Sequence, residues 1–168
     1  MTGEGRKANG NRWIIEAQPT LSTSAYDTGD LAGAKLTFED VISEDYGGGA
    51  IVSMQVIDAA AQNAELHLIL FDEDLNSGTG AGTNWATGDN VALSIASSDL
   101  ANCVGVVDVS TGDYLAAAAN STAIKTHNVP FYLEGKRKLY GLLYVKGAPT
   151  YTASNALNIR LGIERDAN

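Results

Sequence analysis

Apolar and polar residues alternate along most of the chain after residue 11, and this spacing places alternate side chains on one face of a β-strand. In NALNIRLGIER (155–165), Leu157, Ile159, Leu161 and Ile163 share one face. The same period recurs in RWIIEAQ (12–18), GAKLTFEDVI (33–42), AIVSMQVID (50–58), AELHLILF (64–71), NVALSI (90–95), NCVGVVDV (102–109), NVPFYLE (128–134) and KLYGLLYVKG (138–147). The pattern predicts about nine short strands.

These strands, joined by turns rich in glycine, asparagine and aspartate, predict an all-β protein of the antiparallel sandwich or barrel class. Eight principal strands with uneven connections, including a long one at 72–90, favour a jelly-roll-like β-sandwich with two packed sheets. Only YLAAAANSTA (114–123) resembles a helix, and it predicts one or two turns at most. The glycine-rich YGGGA (46–50) is interpreted as a flexible connection between strands.

The length of 168 residues favours one domain with a substantial core. Residues 1–11 are polar and contain three glycines without apolar periodicity, which predicts a flexible N-terminal arm. Residues 12–168 are then expected to form a single β-sandwich domain.

The charge balance argues against nucleic acid and membranes as partners. Eleven Lys and Arg against twenty Asp and Glu give a formal net charge of −9, which repels phosphate backbones and anionic lipids. No segment approaches the ~18 apolar residues of a membrane span, and no apolar signal region follows the N-terminal charges. Cys103 is the single cysteine, so no intrachain disulfide is possible, and we expect a small buried hydrophobe in a chain matured in a reducing cytoplasm.

The chain lacks the sequence signals of an enzyme, and we expect neither catalytic activity nor a cofactor. His67 and His127 are the only histidines, and Cys103 has no motif context for a nucleophile. No nucleophile elbow, zinc-protease motif or phosphate-binding loop is present. Paired carboxylates suited to a glycosidase occur, but twenty acidic residues on a small surface form such pairs by chance.

The stretch LILFDEDLNSGTGAG (68–82) imitates the start of a calcium loop, with Asp72, Asp74 and Asn76 at alternate positions. A complete loop requires glycine at its sixth position and glutamate at its twelfth, where this chain has Ser77 and Thr83. We therefore expect a strand that ends in a long loop, with these three residues only a weak metal candidate. Trp85 is the one large apolar residue of that loop, so it either folds onto the core or serves as a contact anchor.

Thr-Gly-Asp occurs three times, at 28–30, 87–89 and 111–113, with unequal spacing. Glycine supplies positive φ and aspartate accepts hydrogen bonds from its own turn, so we interpret the three copies as turn chemistry.

The order of four phrases resembles small structural proteins of tailed bacteriophages, typically encoded near the major capsid gene: AYDTGDLAG, ELHLILFDEDL, DNVALSIASSDLANCVGVVDV and LYGLLYVKGAPTYTASNALNIRLGIERD. The resemblance covers residues 24–166. It implies a virion component, a capsid decoration (cement) protein that binds the major capsid protein as a homotrimer and stabilises the head. It also implies assembly in the cytoplasm of the bacterial host and a final location on the capsid surface.

The basic cluster at the N-terminus fits such a partner. Arg6, Lys7 and Arg12 are the only basic residues before Lys35. Together with Trp13 they form a candidate capsid-contact arm. An arm of this charge would lie along an acidic capsid face and become ordered on binding. The alternative is a plain disordered terminus.

Two other functions remain open at the level of sequence. A carbohydrate- or receptor-binding module of a phage tail or fibre would stack sugars on exposed aromatics, with candidates Trp13, Trp85, Tyr140, Tyr144 and Tyr151. Alternation places Tyr140 and Tyr144 on one face, which also suits a subunit contact. A calcium-dependent glycan hydrolase would depend on Asp72 and Asp74.

Overall fold

The computed structural model describes residues 6–9, 11–74, 89–95, 97 and 99–166. Ten antiparallel strands form two packed sheets. The strands are β1 (Arg6–Asn9), β2 (Arg12–Ala17), β3 (Leu36–Phe38), β4 (Tyr46–Asp58), β5 (Glu65–Phe71), β6 (Cys103–Val109), β7 (Tyr114–Ala117), β8 (Asn120–Glu134), β9 (Leu139–Lys146) and β10 (Leu157–Arg165). Two short 3-10 turns, Asp99–Asn102 and Thr111–Asp113, precede β6 and β7.

The strand pairing is that of a jelly roll, which confirms the predicted fold class. The six-stranded sheet has the order β1-β2-β10-β4-β8-β7, and the four-stranded sheet has the order β3-β9-β5-β6. Without the added edge strands β1 and β7, eight strands remain. Among these eight the first pairs with the last, the second with the seventh, the third with the sixth, and the fourth with the fifth. This nested pairing is a long antiparallel hairpin rolled into two sheets.

The core lies between the two sheets and follows the alternation read from the sequence. In β10, the predicted inward set of Leu157, Ile159, Leu161 and Ile163 is completely buried. The four-stranded sheet contributes the alternate positions of β5 and β9, among them Leu68. Because β10 buries one face, a register slip of one residue would expose its whole apolar set to water.

The predicted flexible connection at YGGGA is wrong, because residues 46–50 form the first part of β4. Both neighbouring strands pair with this segment: Gly49 lies opposite Phe131 of β8 and Arg165 of β10. A Cβ built on Gly49 would lie 2.5 Å from the carbonyl oxygen of Glu164. Glycine is therefore required here by the close approach of β10, which is a constraint from a strand more than 100 residues away in sequence.

The predicted helical turns at residues 114–123 are also wrong, since β7 and β8 form a tight hairpin there. Ala117 pairs with Asn120, and Ala118 between them adopts a φ of 57°. Ladder hydrogen bonds to β8 outweigh the helix propensity of the alanines, which is worth only tenths of a kcal/mol per residue.

A second, smaller apolar cluster covers the outer face of the four-stranded sheet. Leu31, Phe71 and Leu142 are buried in it, with Leu93 and Cys103 packed against them. The NVALSI segment, predicted as a strand, contributes only an isolated bridge between Ala92 and Asp30. Cys103, which the sequence predicts to be buried, is only partly buried. It packs against this outer cluster and not in the main core.

The segment predicted as a flexible arm contains β1, which the apolar pattern did not reveal. Lys7 pairs with Trp13, so β1 is an edge strand of the six-stranded sheet. The sequence of β1, RKAN, has no alternation of apolar and polar residues, which explains why the pattern does not show it. The mobility of the remaining arm residues and the single-domain organisation stay predictions.

Candidate functional site

The outer face of β4, β7 and β8 is an unusually neutral surface for a chain of net charge −9. The last pair on this face, Tyr46–Glu134, carries a carboxylate, but the five pairs between it and the hairpin are uncharged. These pairs are Ile57–Thr122, Gln55–Ile124, Ser53–Thr126, Ala50–Pro130 and Gly48–Tyr132. We call this surface the neutral face. On the inward face of the same strands, Val56 and Leu133 are completely buried.

Large apolar side chains are exposed at the hairpin end of the neutral face. Leu115 of β7 is 72% exposed and Ile124 of β8 is 63% exposed. Leu115 lies opposite Thr122, so Ile124 is its diagonal neighbour on the same face. Depletion of charge around exposed apolar side chains is the composition found at the centre of protein–protein interfaces.

Two tyrosines are exposed at the opposite end of the neutral face, which we call the tyrosine end. Tyr46 is 64% exposed and Tyr132 is 59% exposed. Tyr46 lies opposite Glu134, which makes Tyr132 its diagonal neighbour. The Tyr132 ring covers Gly48, since a Cβ on that glycine would lie 3.3 Å from Tyr132 Cδ2. The apolar and tyrosine ends are about 26 Å apart along β8, eight residues at about 3.3 Å each.

The charged residues of the same sheet lie beside the neutral face, on β2 and β10, and they are paired. Arg160 Nε lies 3.1 Å from a carboxylate oxygen of Glu16, and Arg12 Nε lies 3.5 Å from one of Glu164. These exposed pairs contribute little to stability, about 0–1 kcal/mol each. They do cancel the charge along this margin.

Arg12 and Trp13 of the predicted capsid-contact arm belong to β2 and so lie within the folded sheet. The Arg165 guanidinium lies 3.9 Å from the centre of the Trp13 ring, a cation–π contact that occupies one face of the indole. Arg6 and Lys7 lie in β1 at the sheet edge. The structure thus brings all four residues to one edge of the six-stranded sheet. Their contact with a partner stays a prediction.

The weak calcium candidate is only partly described, because Asn76 lies outside the described residues, as does Trp85. Asp72 and Asp74 follow β5 directly, as expected. A carboxylate oxygen of Asp74 lies 2.5 Å from the ammonium of Lys35, so this carboxylate is paired with a cationic side chain. Across the described ranges, no three His, Cys, Asp or Glu side chains converge in a way that would hold a metal ion.

The aromatics proposed for sugar stacking are covered to different degrees. Tyr140 and Tyr144 do share the outer face of the four-stranded sheet, opposite Phe71 and His67 respectively. Both are half-buried: Lys35 lies over the Tyr140 ring, and the His67 ring packs edge-on against Tyr144. Tyr151 is completely buried, and burial raises the pKa of its hydroxyl well above 10.0.

The two histidines and Cys103 each contact groups in their own neighbourhood. His67 contacts a carboxylate oxygen of Glu65 at 2.9 Å, and His127 contacts the carbonyl oxygen of Asp108 at 3.1 Å. Burial raises the pKa of the Cys103 thiol, which disfavours the thiolate required of a nucleophile. Each of the three side chains is explained by local packing.

A groove of about 240 Å³ lies at the end of the sandwich opposite the tyrosine end, and it is lined by Asn63, Lys146 and Pro149 among others. The Lys146 ammonium is engaged by a carboxylate oxygen of Glu65 at 3.2 Å. The groove is smaller than typical small-molecule pockets of about 300–1,000 Å³.

The sequence interpretation missed the tyrosine end, although a signal for part of it was present. In NVPFYLE, alternation puts Phe131 and Leu133 inward and leaves Tyr132 facing water. Tyr46 gave no such signal, because the glycines after it conceal the strand. Leu115 was hidden by the apparent helical pattern of its neighbours.

No protein-family model and no curated protein matches this chain. Among solved structures, a chain of tomato aspermy virus is similar at 10% identity and a TM-score of 0.38, covering 97% of this chain and 81% of that one. A cleaved adhesin domain of Lys-gingipain from Porphyromonas gingivalis is similar at 13% identity and a TM-score of 0.35, covering 93% of this chain and 74% of that one. At these TM-scores neither similarity carries an argument, so the fold assignment rests on the strand pairing. No helix in the described residues is long and apolar enough to cross a membrane.

Proposed function

We propose that the protein is a non-enzymatic structural component of a tailed-phage virion, a capsid decoration protein that binds the outer surface of the major capsid protein lattice. The observation that carries this proposal is the neutral face, with Leu115 and Ile124 exposed on a flat, rigid sheet. The sequence resemblance to phage structural proteins supports the identity of the partner. On this proposal the protein needs no cofactor, acts as a homotrimer, and assembles on heads in the host cytoplasm.

The size of the neutral face agrees with binding through several weak contacts. The strands are spaced about 4.8 Å apart, and the 13 residues of β4, 15 of β8 and 4 of β7, at about 3.3 Å each, cover about 500 Å². A stable interface buries about 800 Å² on each partner. One neutral face is therefore smaller than a typical interface, and a trimer that presents three copies would gain avidity.

The test is binding to undecorated heads. Purified protein is added to the heads, and bound protein is measured by co-sedimentation together with the temperature at which the heads rupture. We expect binding below micromolar concentration and a higher rupture temperature. Absence of binding at micromolar concentration would refute the capsid proposal.

Matched charge variants test the face itself. Leu115→Glu and Ile124→Glu are expected to abolish head binding, because each places a carboxylate in the contact. Val106→Glu is the control, since Val106 is 47% exposed but lies on the other sheet. All three variants have the same net charge. Equal losses in all three would show that charge repulsion, rather than the neutral face, governs binding.

The alternative function, a carbohydrate- or receptor-binding module of a tail or fibre, requires exposed aromatic faces. Tyr140 and Tyr144 are half-buried, Tyr151 is buried, and Trp13 is half-buried with one ring face against Arg165, so the described members of the predicted set offer little free ring surface. Glycan-array binding that survives Leu115→Glu would favour this alternative over capsid decoration.

A further inference from the structure

Two carboxylates lie beside the tyrosine end and two more directly precede Tyr46 in sequence, and none of the four forms an ion pair with a described side chain. Glu44 and Asp45 directly precede Tyr46, and both are exposed. Glu134 lies opposite Tyr46, and a Cβ on Gly48 would lie 2.6 Å from a carboxylate oxygen of Asp166. Acidic side chains elsewhere at this end do have partners, such as Asp40 with Arg137 at 2.6 Å.

The arginine next to Asp166 in sequence is engaged elsewhere. Arg165 stacks on Trp13 and donates hydrogen bonds to the carbonyl oxygens of Asp40 and Val41. The four carboxylates therefore add unneutralised negative charge to a chain that already carries a net charge of −9. A bound cation would neutralise this charge, whereas a neutral sugar would not.

The two tyrosine rings add a second attraction for the same class of ligand. The negative face of an exposed aromatic ring attracts lysine and arginine side chains. Diagonal neighbours on a sheet are about 7 Å apart, close to the spacing of about 6.7 Å between residues i and i+2 of an extended chain. An extended segment with basic residues at alternate positions would thus place one side chain over each ring.

We propose that the tyrosine end binds an extended basic segment of a partner protein, with lysine or arginine side chains over Tyr46 and Tyr132. The flanking carboxylates, Glu134 and Asp166 foremost, accept hydrogen bonds from these cations. This site lies at the other end of the neutral face from Leu115 and Ile124, about 26 Å away. Its test uses a peptide in place of capsids, so this proposal and the capsid proposal can fail separately.

The experiment measures fluorescence anisotropy of a labelled ten-residue peptide of alternating lysine and glycine, titrated with the full-length protein at low salt. We expect saturable binding that weakens with added salt. A peptide of the same composition rearranged as KKGGKKGGKG should bind more weakly, because no two of its lysines are two residues apart and it cannot match the spacing of the rings. Equal affinity for the two peptides would overturn the proposed geometry.

Two sets of variants separate the site from the net charge. Tyr46→Leu with Tyr132→Leu keeps apolar side chains on the sheet but removes both rings, and should weaken binding about tenfold, roughly threefold for each exposed cation–π contact. Glu134→Gln should also weaken binding. Asp27→Asn is its control, because it makes the same charge change at an exposed loop position at the opposite end of the sandwich.

The results that would overturn the proposal are specific. If Asp27→Asn weakens binding as much as Glu134→Gln, the peptide senses only net charge. If the double tyrosine variant, folded by circular dichroism, binds normally, the rings play no part. Binding of a neutral hexasaccharide that is lost in the tyrosine variant, without peptide binding, would assign the site to sugars instead.

Discussion

Asp89 connects segments that are distant in sequence, and its removal should destabilise the fold. Its carboxylate accepts a hydrogen bond from the Tyr26 hydroxyl at 2.6 Å. It also accepts hydrogen bonds from the backbone N–H groups of Ser22 and Gly33. These three donors belong to the segment that leads into β3. This segment forms backbone hydrogen bonds with residues 89–93 on one side and with β9 on the other. Asp89 therefore holds together the two segments that cover the outer apolar cluster of Leu31, Phe71 and Leu142.

The expected cost follows from these three hydrogen bonds. A hydrogen bond to a charged group contributes about 1.5–3 kcal/mol, and partial exposure together with non-additivity reduces the sum. Tyr26 is completely buried, so water cannot replace its partner without rearrangement. We expect Asp89→Ala to lower the free energy of unfolding by about 4 kcal/mol, and Asp89→Asn by about 2 kcal/mol, because the amide retains one acceptor oxygen. For a chain of this size, 4 kcal/mol corresponds to a decrease in Tm of about 8–16 °C.

Asp30→Ala is the matched control for Asp89→Ala. Both aspartates end a Thr-Gly-Asp sequence, but among the described residues the Asp30 carboxylate accepts only from the backbone N–H of Asp27, within its own exposed turn. Its removal should cost about 1 kcal/mol or less. Urea unfolding followed by circular dichroism measures both variants. Equal destabilisation by the two substitutions would refute the assignment of Asp89 as a connecting residue.

Three further predictions concern single positions. Gly49→Ala should destabilise by about 2 kcal/mol or more, because its Cβ would clash with a backbone carbonyl of β10. Gly112→Ala is the control and should leave stability nearly unchanged, since its Cβ would meet nothing closer than 4.0 Å. Equal urea midpoints for the two alanine variants would contradict the clash at Gly49. The hydrogen bond from Lys125 lowers the pKa of Asp108 below 3.8. The ionised carboxylate therefore stabilises the fold above pH 3.8, and this stabilisation is lost as the pH falls further. The free energy of unfolding, measured from pH 7 to 2, should decline less in Asp108→Asn than in the unchanged protein. Burial raises the pKa of Tyr151 above 10.0, so stability should fall as the pH rises past 10.0. Tyr151→Phe should reduce that fall. It should cost no stability at pH 7, because the Tyr151 hydroxyl has no hydrogen-bond partner among the described residues.

The three Thr-Gly-Asp copies show how far local sequence determines local structure. Asp30 and Asp113 accept hydrogen bonds within their own turns, as the motif predicts. Asp89 has the same local sequence but accepts hydrogen bonds from residues 56 to 67 positions away. The motif specifies an acceptor beside a turn, and the tertiary structure determines which donors reach it.

The candidate surface was predictable only in part, for the same reason. Alternation in NVPFYLE is sufficient to place Tyr132 outward. It does not show that Tyr46 lies diagonally beside Tyr132, because that neighbourhood depends on the pairing of β4 with β8. The absence of charge on the neutral face likewise becomes visible only when the outward positions of three strands are placed side by side.

The sequence by itself determined the class of fold and the inward face of most strands, because period-two alternation is a local property enforced by burial. Ile159 and Leu161 could be assigned to the core without any knowledge of their neighbours. Only the tertiary structure decided that YGGGA is a strand and that an alanine-rich segment is a hairpin. In both cases hydrogen bonds and steric contacts from strands remote in sequence outweigh weak local propensities.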